Sequence, residues 1–222
     1  MRNRRCIGRG NRNVWVRIYS HLRARKMRTR PESNSPSRWH VGAHLPIVGT
    51  ALFLSVVIPL HFVQQGYNPR FQLLSELALG LYGWMMLFAF LGLALSAMGV
   101  GIISSRTHAL NFLSVIWGLA ALCFLGAGTF PLGKSDFLHI SLIGSAFVLS
   151  VLGIYVLARQ SSKLVFRMQS YLLAVGMTLS VFLGNTVLDI GIAQRLATLC
   201  LLSWFVIIGY QAEQINGGVI SP

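Results

Sequence analysis

Acidic residues are nearly absent from this sequence: it has five Asp and Glu in 222 residues, and all charged residues together make up 11% of it. A soluble domain carries about 25% charged residues, so this deficit argues against a surface that faces water. Cysteine is also scarce, and Cys6, Cys123 and Cys200 lie too far apart in sequence for a metal knuckle or a redox pair. The common short catalytic and phosphate-binding motifs are missing as well.

The chain is instead rich in hydrophobic residues, which make up 54% of it. A membrane-crossing helix needs about 20 mainly apolar residues. Six runs approach or exceed this length: Leu45–Val63, Gly80–Ile103, Ala109–Phe130, Phe137–Ala158, Tyr171–Leu188 and Gln194–Tyr210. Each is predicted to be helical, because lipid offers no partner for free backbone groups. The predicted fold class is all-α, a polytopic membrane protein with six transmembrane helices over 45–212, between tails at 1–44 and 213–222.

Positive charge is concentrated at the N-terminus, where Met1–Arg38 holds twelve of the 19 Lys and Arg. This segment has no sustained apolar period and is predicted to be disordered. With the tail inside, sixteen of the 19 lie on that side, so the positive-inside rule predicts N-in/C-in. Anionic lipid headgroups are the predicted partner of the tail, and no specific nucleic acid is predicted. A start at Met27 is an open alternative that keeps the same orientation.

In this orientation the acids Glu76, Asp136 and Asp189 lie near the outer ends of spans. Arg70, Lys134 and Arg195 lie at the same depth. Ionisable groups in a membrane are candidates for function by default. The candidate polar site therefore comprises Ser75, Glu76, Asp136, His139, Arg195, His61 and Asp189.

Each of these residues also has a structural interpretation. Ser75 with Glu76, and Asp136, suit helix N-termini, and Asp189 suits a turn. His61 and His139 suit interfacial histidines, with His139 bonded to a loop carbonyl.

Arg195 fits a structural role least well. A cation in the first turn of a helix opposes the helix dipole, and a guanidinium needs a carboxylate or a lipid phosphate. Asp189 and Glu76 are the expected partners by depth. Snorkelling to the headgroups is the alternative.

A metal site is a further alternative. Asp136 and His139 are three residues apart and share a helix face. Together with Glu76 they offer the mixed oxygen and nitrogen ligands of a water-activating metal. Because no dense histidine cluster accompanies them, neither a metal nor another cofactor is predicted.

Several short motifs carry a family resemblance. They are Tyr67-Asn68-Pro69, Leu74-Ser75-Glu76-Leu77, Phe130-Pro131 before His139, and Gly191-Ile192-Ala193-Gln194-Arg195 followed by Trp204. In this order the chain resembles, over about Leu45 to Gln211, a bacterial six-span membrane family catalogued as domain of unknown function 998. The resemblance implies a multi-pass protein of the bacterial inner (plasma) membrane without an established activity. It also implies recurrent polar residues at Ser75, Glu76, His139 and Arg195.

The sequence departs from the family pattern after Phe130-Pro131. The resemblance implies an aspartate shortly after this pair, where Leu132-Gly133 stand instead, and the acid follows at Asp136. Either Asp136 substitutes from one helical turn further on, or the site is altered.

Three functions remain in competition. The first is binding or moving a membrane lipid or small solute through an outward-facing polar cluster. The second is a membrane-embedded, metal-dependent lipid hydrolase that uses Glu76, Asp136 and His139. The third is a structural or accessory membrane subunit. Since no catalytic motif is present, a non-enzymatic role is favoured, and homo-oligomerisation is left open.

Overall fold

The computed structural model describes residues 37–105, 111–184 and 186–217. The described residues leave out almost all of the predicted basic tail, including Met27. They also leave out Arg106, in the loop after the second span. The account below concerns the described part of the chain.

The described residues form six α-helices: α1 Ser37–Val63, α2 Met86–Ser104, α3 Asn111–Thr129, α4 Asp136–Gln160, α5 Leu164–Leu183 and α6 Ile190–Gly217. Each contains a stretch long and apolar enough to cross a membrane. Large apolar side chains such as Phe62, Leu81 and Phe137 are each 85% exposed, as expected where lipid is the solvent. The predicted all-α, six-span fold is confirmed.

Some helix boundaries differ from the predicted spans. α5 begins at Leu164 rather than Tyr171, because the helix extends through polar residues that a hydropathy pattern excludes. It ends at Leu183 rather than Leu188, because the backbone turns to an extended conformation at Gly184. Before α2 the chain forms two short 3-10 helices, Leu74–Leu79 and Gly83–Met85. A Cβ at Gly83 would lie 2.0 Å from the carbonyl oxygen of Ala78, so this turn needs glycine.

Consecutive helices pack side by side, and α6 also packs against α1 and α2. The closest approach joins α1 and α2 through small residues. A Cβ at Gly92 would lie 2.5 Å from the carbonyl oxygen of Gly49, and the Ser96 hydroxyl donates to the carbonyl of Pro46 at 3.1 Å. Small residues thus allow these two helices to approach closely.

Two stacked tryptophans fill the centre of the bundle. Trp117 of α3 and Trp204 of α6 are fully buried, with 5.2 Å between ring centroids and 6° between ring planes. A Cβ at Gly153 of α4 would lie 2.7 Å from the Trp117 ring, and Trp204 donates to the Ser170 hydroxyl of α5 at 3.0 Å. Four helices therefore meet at this stack.

The turn between α3 and α4 is a tight hairpin. Gly133 has a φ of 85°, which favours glycine. Asp136 is the first residue of α4, and its carboxylate accepts the Gly133 N–H at 2.6 Å. Asp136 thus lies at a helix N-terminus as predicted, but Ser135 occupies the cap position, and the Asp136 side chain closes the turn that precedes the helix.

The two exposed turns at either end of α4 allow the predicted orientation to be tested. A periplasmic reporter fused after Ser135 should be active, because that turn is expected outside the membrane. The matched fusion after Ser162, in the turn after α4, should be inactive. The reverse pattern would overturn the N-in/C-in prediction.

Candidate functional site

The segment 64–73, which follows α1, lies directly over the start of α6. A Cβ at Gly191 would lie 2.5 Å from the carbonyl oxygen of Pro69 and 2.6 Å from that of Gln72, so only glycine allows this approach. The Leu74 N–H also donates to the side-chain oxygen of Gln194 at 2.6 Å. These contacts fix the segment to α6.

Arg195 is the centre of this attachment. Its Nη1 donates to the carbonyl oxygens of Gln72, at 2.9 Å, and Gly191, at 2.7 Å. Its Nη2 donates to His61 Nε2, at 3.1 Å, and to the Tyr67 hydroxyl. We call these five residues the Arg195 network. Within the described residues no carboxylate lies at ion-pair distance from Arg195, so the predicted pairing with Asp189 or Glu76 is wrong.

The hydrogen bonds show which atoms of His61 and Tyr67 donate and which accept. His61 Nδ1 lies 2.7 Å from the carbonyl of Val57 and donates to it, which leaves Nε2 to accept from Arg195. The Tyr67 hydroxyl accepts from Arg195 and donates to the carbonyl of Leu73 at 2.8 Å. Burial raises the pKa of the Tyr67 hydroxyl, with Arg195 opposing the shift, so this group remains a donor at neutral pH.

Glu76 braces the same segment from the other side. Its carboxylate accepts the Leu73 N–H at 2.9 Å and the Gln72 side-chain amide at 3.2 Å. Ser75 is buried inside the 3-10 helix Leu74–Leu79 and is not the N-cap of α2, which corrects its predicted role. Glu76 therefore organises the backbone next to the Arg195 network rather than neutralising its charge.

Asp189 pairs with a different cation. Its carboxylate accepts from the Arg70 guanidinium at 2.5 Å, with the two side chains 29% and 65% exposed. Because exposed ion pairs contribute about 0–1 kcal/mol, this contact adds little to the attachment of the segment.

His139 lies elsewhere, between α4 and the end of α3. Its Nδ1 lies 2.8 Å from the carbonyl of Ala127 and 3.0 Å from that of Phe130, and its ring packs edge-on against Phe90. The last carbonyls of a helix lack intrahelical donors. His139 supplies one across the hairpin. The expected bond to a loop carbonyl is made to Phe130, and a second bond goes to Ala127 inside α3.

The structure does not assemble a metal site from Glu76, Asp136 and His139. Asp136 bonds to its own turn and His139 to α3, whereas Glu76 bonds to the segment over α6. No three His, Cys, Asp or Glu side chains in the described ranges lie close enough to hold a metal. The metal-site hypothesis for these three residues is therefore wrong.

A groove lies beside the Arg195 network, between α4, α5 and α6. Its volume is about 590 Å³, within the range of ligand pockets. Ile143, Phe147, Val151, Met177, Val181, Ala193 and Ala197 are among its apolar lining residues. Leu73 and Gln194 stand at the end nearest the network. Arg195 thus acts on the groove indirectly, because it bonds to Gln72, the residue that precedes Leu73.

The family described as Protein of unknown function (DUF998) matches residues 47–211. The chain belongs to this family. No curated protein and no solved structure matches it. With its six membrane-spanning helices, this DUF998 chain is a multi-pass membrane protein.

The motifs that carry the resemblance to DUF998 occupy two places in the fold. Tyr67, Glu76 and the Gly191–Arg195 segment meet around the Arg195 network. Phe130 and His139 meet in the α3–α4 hairpin. The first group joins elements distant in sequence, and the second closes the hairpin between consecutive helices, so these motifs serve tertiary attachment at one end of the bundle.

Sequence reasoning left three contributing residues out of the candidate site. Tyr67 and Gln194 stand within the motifs, so a signal for them existed. No sequence signal pointed to Gln72. Its backbone carbonyl accepts from Arg195, its side-chain oxygen accepts from the Asn68 N–H, and its side-chain NH2 donates to Glu76. Its role depends on the path of the loop.

We expect Arg195→Lys to lower the free energy of unfolding by about 2 kcal/mol, because one ammonium cannot reproduce a guanidinium fork that serves four acceptors. Arg70→Lys, the same change in the exposed ion pair, should have an effect below about 1 kcal/mol. Unfolding in mixed micelles measures both. Equal effects would contradict a stabilising role specific to the Arg195 network.

Proposed function

We propose that this chain is a lipid-binding protein of the bacterial inner membrane, which holds a lipid acyl chain in the groove between α4, α5 and α6. The single observation that carries the proposal is the groove, because it combines ligand-sized volume with apolar walls from three helices. The groove meets lipid along its rim, where Val148, Val181 and Phe182 are largely exposed.

The shape of the groove favours a chain over a compact solute. On α4 its lining extends from Ile140 to Val151, about 16 Å along the helix axis. Its polar lining is sparse: Thr178, one of the few polar lining groups, already donates its hydroxyl to the carbonyl of Ala174 at 2.9 Å. A polar solute would leave its own hydrogen-bonding groups unpaired along most of this length.

Selectivity arises at the Leu73–Gln194 end of the groove. An acyl chain gains little hydrophobic free energy on leaving the bilayer, because lipid is as apolar as the groove. Gln194 uses its side-chain oxygen to accept from Leu74, which leaves its NH2 group as a donor for an ester or headgroup oxygen. The Arg195 network contributes by holding Gln72 and Leu73 in place.

The two alternative functions lack an equivalent observation. A metal-dependent hydrolase would need the metal ligands together, and Glu76, Asp136 and His139 bond to separate elements. A purely structural subunit is compatible with the Arg195 network but gives no role to an open groove. A structural role predicts that filling the groove does not change the amount of bound lipid.

Filling the groove tests the proposal. Gly144 lines the groove, and a Cβ built on it meets nothing within 4 Å, so Gly144→Phe should fold normally. The phenylalanine ring would overlap with the acyl chain in the groove, and overpacking of this kind costs about 1–3 kcal/mol. We therefore expect roughly tenfold less lipid to remain bound. Native mass spectrometry of the detergent-purified full chain measures retained lipid.

Gly118→Phe is the matched control. Gly118 of α3 also has open space around a built Cβ but does not line the groove, so this variant should retain lipid like wild type. Lipid-free wild-type protein, or equal retention in wild type and Gly144→Phe, would refute the proposed function.

A further inference from the structure

A second cavity lies at the opposite end of the bundle, where α4 ends and α5 begins. Its volume is about 300 Å³. The turn 160–163 forms one side, Leu157, Phe166 and Ile208 form an apolar wall, and Gln211 of α6 completes it. We call this cavity the turn pocket. It combines polar groups at the membrane end with apolar side chains deeper in the bundle.

Lys163 is the cationic group of the turn pocket. Its ammonium donates to the side-chain oxygen of Gln211 at 2.9 Å, and its backbone N–H donates to the Ser161 hydroxyl at 3.2 Å. An ammonium carries three N–H donors. Gln211 uses one of them and holds the side chain across the pocket, so further donors remain for an oxygen-rich ligand.

The charges around the turn pocket are unbalanced. Arg159, Lys163 and Arg167 lie on or beside the turn, and in the described part of the chain none of them forms an ion pair with a carboxylate. Glu213, the acid at this end of the described chain, is bonded to His44 at 2.8 Å. Within the described residues, the turn pocket therefore has an excess of positive charge that no carboxylate pairs with.

An anionic phospholipid matches both features of this cavity. Its phosphate supplies the negative charge and acceptor oxygens for Lys163 and the serine hydroxyls. Its first methylenes suit the wall formed by Leu157, Phe166 and Ile208. Basic pockets between membrane helices bind acidic headgroups in this way, whereas a free phosphate would leave the apolar wall unused.

We propose that the turn pocket binds the phosphate headgroup of an anionic phospholipid from the leaflet at this end of the bundle. The site is distinct from the groove beside the Arg195 network, because it lies at the other end of the helices and uses charge for selection. It binds a headgroup, whereas the groove accommodates an acyl chain.

The test is a titration of the delipidated full chain with phosphatidylglycerol and, separately, phosphatidylcholine, followed by native mass spectrometry. Wild type should prefer phosphatidylglycerol. One lysine near an anionic membrane surface contributes about a fivefold change in affinity. Lys163→Gln should therefore weaken phosphatidylglycerol binding about fivefold and phosphatidylcholine binding less, because the choline cation of that lipid offsets the charge of its phosphate. Lys163→Arg, which keeps the charge, should restore the preference.

Two matched variants distinguish this site from other lipid contacts. Lys134→Gln removes the same charge from the turn at the opposite end and should leave the preference intact. Gly144→Phe alters the groove and should also leave it intact. If Lys134→Gln lowers the preference as much as Lys163→Gln, general surface charge explains the binding and the proposal fails.

A competition with soluble glycerol phosphate completes the test. If millimolar glycerol phosphate displaces phosphatidylglycerol, the pocket recognises free phosphate and the lipid assignment is overturned. Wild-type affinity in Lys163→Gln would likewise overturn it, given an unchanged unfolding temperature. Retained lipid in the presence of glycerol phosphate, with the fivefold loss in Lys163→Gln, supports the proposal.

Discussion

The guanidinium of Arg195 is the constraint on which one end of this bundle depends. It carries a permanent charge near the start of α6, where the helix dipole opposes a cation. The protein compensates with acceptors rather than a carboxylate: two backbone carbonyls, a histidine nitrogen and a tyrosine hydroxyl. Because these acceptors belong to α1, to the segment after α1 and to α6, the hydrogen bonds of one side chain fix three elements.

This attachment links the polar residues to the proposed lipid groove. Gln72 accepts from Arg195, and the next residue, Leu73, forms part of the groove's end wall. Gln194 contributes both to the attachment, through the Leu74 N–H, and to the groove lining. The polar groups thereby shape the apolar groove in which we propose that a lipid acyl chain binds.

The candidate site was only partly predictable from the sequence. The depth of each polar residue follows from its place along an apolar run, so His61, Glu76 and Arg195 were correctly expected near one another. The partners of each side chain were not predictable. Arg195 bonds to neutral acceptors while Asp189 pairs with Arg70, because the fold places these acceptors, and no carboxylate of the described residues, within bonding distance of Arg195. His139 turns toward α3, where helix-end carbonyls need donors.

The sequence by itself determined the fold class and the six spans, because hydropathy and the need to pair every backbone group in lipid are local properties of each segment. The tertiary structure alone decided which helix faces meet, that Trp117 stacks on Trp204, and that a groove opens between α4, α5 and α6. These features depend on the rotation and spacing of whole helices, which side chains distant in sequence set jointly.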